Sequence, residues 1–199
     1  MDLSIFGISW ALIEQACLLL VVFVLLFHIK YFRRMLTDRA TVLDQVVLSI
    51  LFGAYAIFGT YSGVATSGAI ANIRNLGPMM GGLLAGPWVG LASGLIGGIH
   101  RYFMGGFTCL PCAIGTTLSG LFAGLLWLFW KGKFGIWKPA LFAFIMEIID
   151  MGLLLLIARP FENALKLVNV IAVPMILGDT VGVAIFAFLI RHIKMESKA

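Results

Sequence analysis

The sequence predicts an all-α integral membrane protein, a polytopic bundle of about six to seven transmembrane helices. Three observations carry this. Hydrophobic residues make up 61% of the chain and charged residues 12%, with a mean hydropathy of +1.06, values that a water-soluble domain of this size does not carry. Apolar runs occur at 8–28, 43–61, 69–104, 112–130, 139–158 and 169–190, most of them long enough for a helix to cross a hydrocarbon core of about 30 Å. The Lys and Arg residues gather at the ends of those runs, and the charged breaks are short, so one membrane domain, 1–199, fills the sequence and leaves no room for a nucleotide-binding fold.

The first run reads as a retained helix over 1–30. Asp2 is the only charge before it, and no small-x-small cleavage site follows. Lys30, Arg33, Arg34 and Arg39 come directly after it and place its C-terminal end in the cytoplasm, with Met1 outside. Lys131, Lys133 and Lys138 form a second basic cluster, and Arg191, Lys194 and Lys198 a third; together these hold ten of the fourteen Lys and Arg residues. A single helix over 69–104 would put the second cluster outside. A helical hairpin broken at Gly86-Pro87 returns every cluster to the cytoplasm, because Pro87 cannot continue a helix from the preceding turn. The arms of that hairpin are short and are expected to be partly re-entrant, shielded from lipid by their neighbours.

Two arginines lie inside the hairpin, where a charge is costly and usually functional. Arg74 is 13 residues before Pro87 and Arg101 is 14 after it, which puts both roughly 20 Å above the cytoplasmic turn, in the outer half of the bilayer. Cys112 and Thr116 open the next helix at about that level. An externally accessible pocket lined by Arg74, Arg101 and Cys112 follows, and paired guanidinium forks suit a small carboxylate. The competing reading pairs these arginines with Glu147, Asp150 and Asp179, which lie in apolar runs. Glu147 and Asp150, at i and i+3 on one helix face, are expected to lie deeper than the arginines.

Gly82, Gly86, Gly90, Gly94 and Gly98 recur every four residues, a row that lets helix backbones approach closely within the molecule. Cys109-Leu-Pro-Cys112 has the C-x-x-C form, but the further ligands of a zinc site and the soluble context of a thioredoxin-type motif are missing, so no metal and no cofactor are expected. The net charge of +5 reflects helix-end lysines and arginines and implies no nucleic-acid partner. No phosphate loop, nucleophile triad or solvated carboxylate pair supports an enzyme.

Asn72-Ile-Arg74, Gly86-Pro-Trp-Val-Gly90, Gly97-Gly-Ile-His-Arg101, Met104-Gly-Gly106, Met146-Glu147 and Pro174 through Gly182 together resemble the membrane input domain of LytS/YehU-type sensor histidine kinases, the five-transmembrane receptor domain (5TMR-LYT). The broken hairpin is also similar to the substrate-binding subunits of energy-coupling vitamin transporters, matching a six-helix core at 43–190 after the extra helix at 1–30. The resemblance implies a receptor in the plasma membrane that couples external or membrane signals to a cytoplasmic kinase and a LytTR-type response regulator. Some members sense pyruvate and others govern cell-wall and autolysis control. It implies ligand contacts at Arg74, Arg101 and Cys112. A hydroxyl residue of pyruvate-sensing members falls on Gly115 here, with Thr116 adjacent, and Asp179 stands where the family commonly has asparagine. Residues 191–199 are expected to be a cytoplasmic stub leading to an output domain outside this sequence. Expected partners are a small carboxylate, the lipid bilayer, a second copy in a homodimer and, through the kinase, the response regulator. The alternative class is a transport or substrate-capture subunit for a small carboxylate; a structural, holin-like membrane protein with internally paired arginines is the third.

Overall fold

The computed structural model describes residues 41–66, 68–130 and 135–196, with Gly7, Trp10, Glu14, Gln15, Val21, Phe32, Arg34 and Met35 from the first forty. Most of the expected first helix and the 131–133 basic cluster lie outside the described residues. The order is α1 (Val42–Tyr61), β1 (Val64–Thr66), β2 (Ala69–Ala71), α2 (Leu76–Ala85), α3 (Pro87–Phe103), α4 (Cys109–Trp130), α5 (Trp137–Ile157) and α6 (Phe161–Glu196).

Helix α1 starts on a capping box: the Asp44 amide donates to Thr41 Oγ1 at 3.3 Å, and the Thr41 amide donates to Asp44 Oδ2 at 2.7 Å. Its far end is tied to the N-terminal segment, where Gln15 Nε2 donates to the Ser62 carbonyl. An antiparallel hairpin follows, pairing Val64 with Ala71, Ala65 with Ile70 and Thr66 with Ala69. The sequence reading gave only helices; these three-residue strands carry too little periodicity to be seen in it.

The 69–104 run does break where Pro87 requires. Gly86 has φ +89°, ends α2 and precedes Pro87 as the first residue of α3, a conformation open to glycine and a position suited to proline. All ten residues of α2 are buried, and at about 15 Å it reaches only half way through a hydrocarbon core. Being apolar on every side, it is a core helix rather than a lipid-facing one. Among the described residues α1, α4, α5 and α6 are long and apolar enough to cross a membrane, so four helices meet that measure against the six to seven expected. The shortfall comes from the hairpin, whose arms are short, and from the first run, which is not described.

Helices α3 and α4 pack backbone to backbone. A Cβ on Gly90 would fall on the Gly120 carbonyl, one on Gly94 would lie 2.9 Å from the Thr116 carbonyl, and one on Gly98 would lie 2.7 Å from the Ala113 carbonyl. The row continues through Gly82, where a Cβ would stand 2.6 Å from the Gly120 carbonyl, and Gly86, which faces the Trp127 ring. α1 covers the other face of α3, and α5 packs mainly on α6. Helix α6 has 36 residues, about 54 Å long, well beyond the hydrocarbon thickness.

Replacing Gly90 by Ala is expected to cost about 1–3 kcal/mol by overpacking the α3–α4 contact. Gly152→Ala, at a site with nothing within 4 Å, should be nearly neutral. Thermal unfolding of the two variants in detergent compares them directly.

Candidate functional site

Arg74 is placed by the turn that leads from β2 into α2. Asn72 Nδ2 donates to the Ile70 carbonyl at 3.1 Å, and its Oδ1 accepts the Arg74 amide at 3.1 Å, an Asx-type turn that fixes the backbone. Gly59 of α1 lies against that backbone; a Cβ there would stand 3.2 Å from Arg74 Cα. The guanidinium then reaches α4, with Nε donating to Thr116 Oγ1 at 2.7 Å.

Thr116 and Asn75 extend this contact into a network. The Thr116 hydroxyl has one proton to give and two acceptors in reach, Asn75 Oδ1 at 2.8 Å and the Cys112 carbonyl at 2.9 Å. Asn75 Nδ2 donates to Glu147 Oε1 at 2.9 Å and to Asp150 Oδ2 at 2.5 Å. The amide thus spends both hydrogens on α5 carboxyls and turns its oxygen to α4. Asp179 of α6 is fully buried beside Glu147. Glu147 and Asp150, expected to lie deeper than the arginines, both reach Asn75, one residue from Arg74.

Gly115 explains how Asp150 fits. A Cβ at this position would collide with the Asp150 carboxyl, so the acidic side chain fills the space that a larger residue at 115 would occupy. The missing side chain at Gly115 and the carboxyl of Asp150 are one packing solution.

Arg101 has a different setting. It sits in the last turn of α3 and is 2% exposed. Nη1 donates to the Gly105 carbonyl at 2.7 Å and Nη2 to Thr108 Oγ1 at 2.8 Å, while Nε is buried with no partner among the described residues. Positive φ at Gly105 and Gly106, +73° and +87°, folds the chain back so that Gly105 and Thr108 meet the guanidinium. Between this turn and the β-hairpin is a cavity of about 410 Å³ with Arg101 in its wall.

The two arginines are thus divided. Among the described residues neither forms an ion pair with a carboxylate, yet Arg74 acts electrostatically on Glu147, Asp150 and Asp179, whereas Arg101 faces the cavity. Arg74, Thr116 and Cys112 meet at one point on α4, but Arg74 and Cys112 do not line the Arg101 cavity. The single pocket expected from spacing is two adjoining sites; His100 is within electrostatic reach of both guanidinium groups and has its ring 5.1 Å from that of Tyr61. Cys109 and Cys112 are free thiols, and among the described residues no His, Cys, Asp and Glu side chains converge to hold a metal ion. The sequence reading missed Asn75 and Thr108. Each is a polar residue beside an arginine or its glycine turn, which is the signal that would have found them.

Membrane-length helices around a broken hairpin, with a buried guanidinium at a cavity wall, define a polytopic membrane domain. The family model described as 5TMR of 5TMR-LYT matches residues 29–193, and the chain belongs to this family, the membrane domain of LytS-type sensor kinases. It is 38% identical over 187 residues to sensor histidine kinase BtsS of Escherichia coli, covering 91% of this chain and 33% of that protein. It is 33% identical over 201 residues to sensor histidine kinase YpdA of the same organism, covering 98% of the chain and 35% of the relative. With sensor protein LytS of Bacillus subtilis it shares 33% identity over 201 residues, 92% of the chain and 34% of the relative. The chain therefore spans about a third of the length of these relatives. No solved structure matches it.

Asn75→Ala should leave Glu147 Oε1 and Asp150 Oδ2 without their donor and lower stability by about 1–3 kcal/mol. Unfolding in detergent reads this, and a variant as stable as the wild type would show that the network is not held through Asn75.

Proposed function

We propose that this chain is the ligand-sensing part of a LytS-type two-component sensor kinase and that it binds a small carboxylate such as pyruvate from the external side. The observation that carries the reading is Arg101: a buried guanidinium without an acidic partner among the described residues, with an unpartnered Nε, in the wall of a cavity. Gly105 and Thr108 hold its Nη atoms and so fix the fork. A carboxylate accepting from Nε and the adjacent Nη would supply the missing acceptor and the missing charge together. Arg74 adds positive field from the neighbouring site, where its Nε donates to Thr116 on α4, one turn after Cys112. The resemblance to pyruvate-sensing members supports the choice of ligand.

In this reading residues 1–30 form an additional helix, 43–190 a six-helix core similar to vitamin-transporter subunits, and 191–199 the cytoplasmic link to an output domain. The basic clusters put the N-terminus outside and the C-terminus in the cytoplasm. Signal passes from Arg74 through Asn75 and Glu147 to Asp179 on α6, and a shift of that long helix carries it to a kinase that works as a homodimer and phosphorylates a LytTR-type response regulator. Ligand binding must favour one of two α6 positions for this to work.

The test is pyruvate binding to purified protein. Arg101→Ala is expected to weaken it by about 2–5 kcal/mol, roughly 30- to 4,000-fold, with Arg101→Lys recovering only part because an ammonium lacks the planar fork. Wild-type affinity in Arg101→Ala would overturn the site. Uptake of labelled pyruvate by proteoliposomes would instead mark a transport protein.

A further inference from the structure

The buried network contains more carboxyls than cations. Glu147 and Asp179 are fully buried and Asp150 is 9% exposed. Four of their oxygens, Glu147 Oε2, Asp150 Oδ1 and both of Asp179, have no donor among the described residues. The groups that face them come from every surrounding element. The turn before α2 supplies Arg74 and Asn75. α4 supplies Thr116, with the Cys112 thiol one turn earlier, and α3 brings His100 and Arg101 toward Arg74. α1 supplies Tyr55, which is 5% exposed, is coupled electrostatically to Asp179 and has a hydroxyl that is itself without a partner. Thr180, next to Asp179 on α6, also has an unpartnered hydroxyl. Arg74 is the one cation among the described residues that acts on all three carboxyls.

One guanidinium balances one carboxylate. The remaining carboxyls, shut off from water and short of donors, are neutral only when protonated. Glu147 and Asp179 lie side by side, and two carboxyl groups form a hydrogen bond with each other only when one of them carries a proton. The Tyr55 hydroxyl, within electrostatic reach of Asp179, is likewise buried without a hydrogen-bond partner among the described residues.

We propose that Glu147, Asp150 and Asp179 form a proton-binding site linked to ligand occupancy: the cluster holds two protons while Arg74 balances its third carboxylate, and takes up one more when an anionic ligand enters Arg74's field. The ligand's charge is met by Arg101, and its negative field at Arg74 disfavours the last ionised carboxylate, which takes a proton from the bathing solution as an O–H bond. The inference rests on the carboxylate-binding reading above. Its sign follows from linkage: the bound state holds more protons, so affinity rises as pH falls, by up to about tenfold per pH unit where a full proton is taken up.

The experiment is calorimetry of pyruvate binding to the purified protein at neutral pH in buffers of different ionisation enthalpy, whose slope counts protons. About one proton per ligand is expected for the wild type and a value near zero for the combined variant Glu147→Gln, Asp150→Asn, Asp179→Asn, which leaves no carboxyl in the cluster to titrate. Binding without proton uptake in the wild type, or uptake undiminished in the combined variant, would overturn the proposal. If pyruvate does not bind at all, the carboxylate reading fails by itself, and infrared spectroscopy of the ligand-free protein tests the proton site separately. A protonated-carboxyl band that persists at neutral pH and changes in Asp179→Asn and Glu147→Gln supports it, and the absence of such a band sinks it.

Discussion

A guanidinium taken out of water needs both hydrogen bonds and a counter-charge, and this structure supplies both to Arg74 but only hydrogen bonds to Arg101. Arg74 is bonded to Thr116 and neutralised at one remove by the carboxyls gathered on Asn75. Arg101 has hydrogen bonds from its own turn but no counter-charge among the described residues. A buried charge with its geometry satisfied and its charge uncompensated is a poor structural element and a good anion receptor. The asymmetry between the two arginines organises the functional reading.

That arrangement depends on how closely α3 approaches α4. Glycines at 90, 94 and 98 let carbonyls of α4 sit where side chains would otherwise stand, which brings Thr116 within reach of Arg74. Gly115 then admits Asp150, and α5 joins the network. Because Glu147 meets Asp179, the last link lies on α6, the helix that runs beyond the bilayer thickness. The glycine contact between α3 and α4 and the long helix α6 are thereby parts of one connected structure. Such a connection transmits a signal only if α6 has two arrangements of different ligand affinity.

Much of this was legible in the sequence because it rests on local rules. Composition gave the membrane class, and basic clusters together with Pro87 located the hairpin break at Gly86, where the structure has φ +89°. Arg74 and Arg101 stood out because charges are rare in such runs. Other features were not legible, for stated physical reasons. Strands of three residues give no usable period. Asn75 contacts Glu147 and Asp150 across 72 and 75 residues, and a neutral amide next to an arginine draws no attention by hydropathy. Counting rise per residue put Glu147 and Asp150 deeper than the arginines, and side-chain reach is what brings them to Asn75. The single pocket became two sites because Arg101 is held by its own glycine turn, whose direction depends on φ values that composition alone does not specify.

If Arg101 receives the ligand's negative charge as proposed, an experimental structure of the protein with pyruvate will show it at the site itself. The expected result is a carboxylate against Arg101 Nε, beneath the Val64–Ala71 hairpin, with the Gly105 and Thr108 contacts kept. A ligand seated elsewhere, or Arg101 found paired with an acidic side chain of the protein, would contradict it.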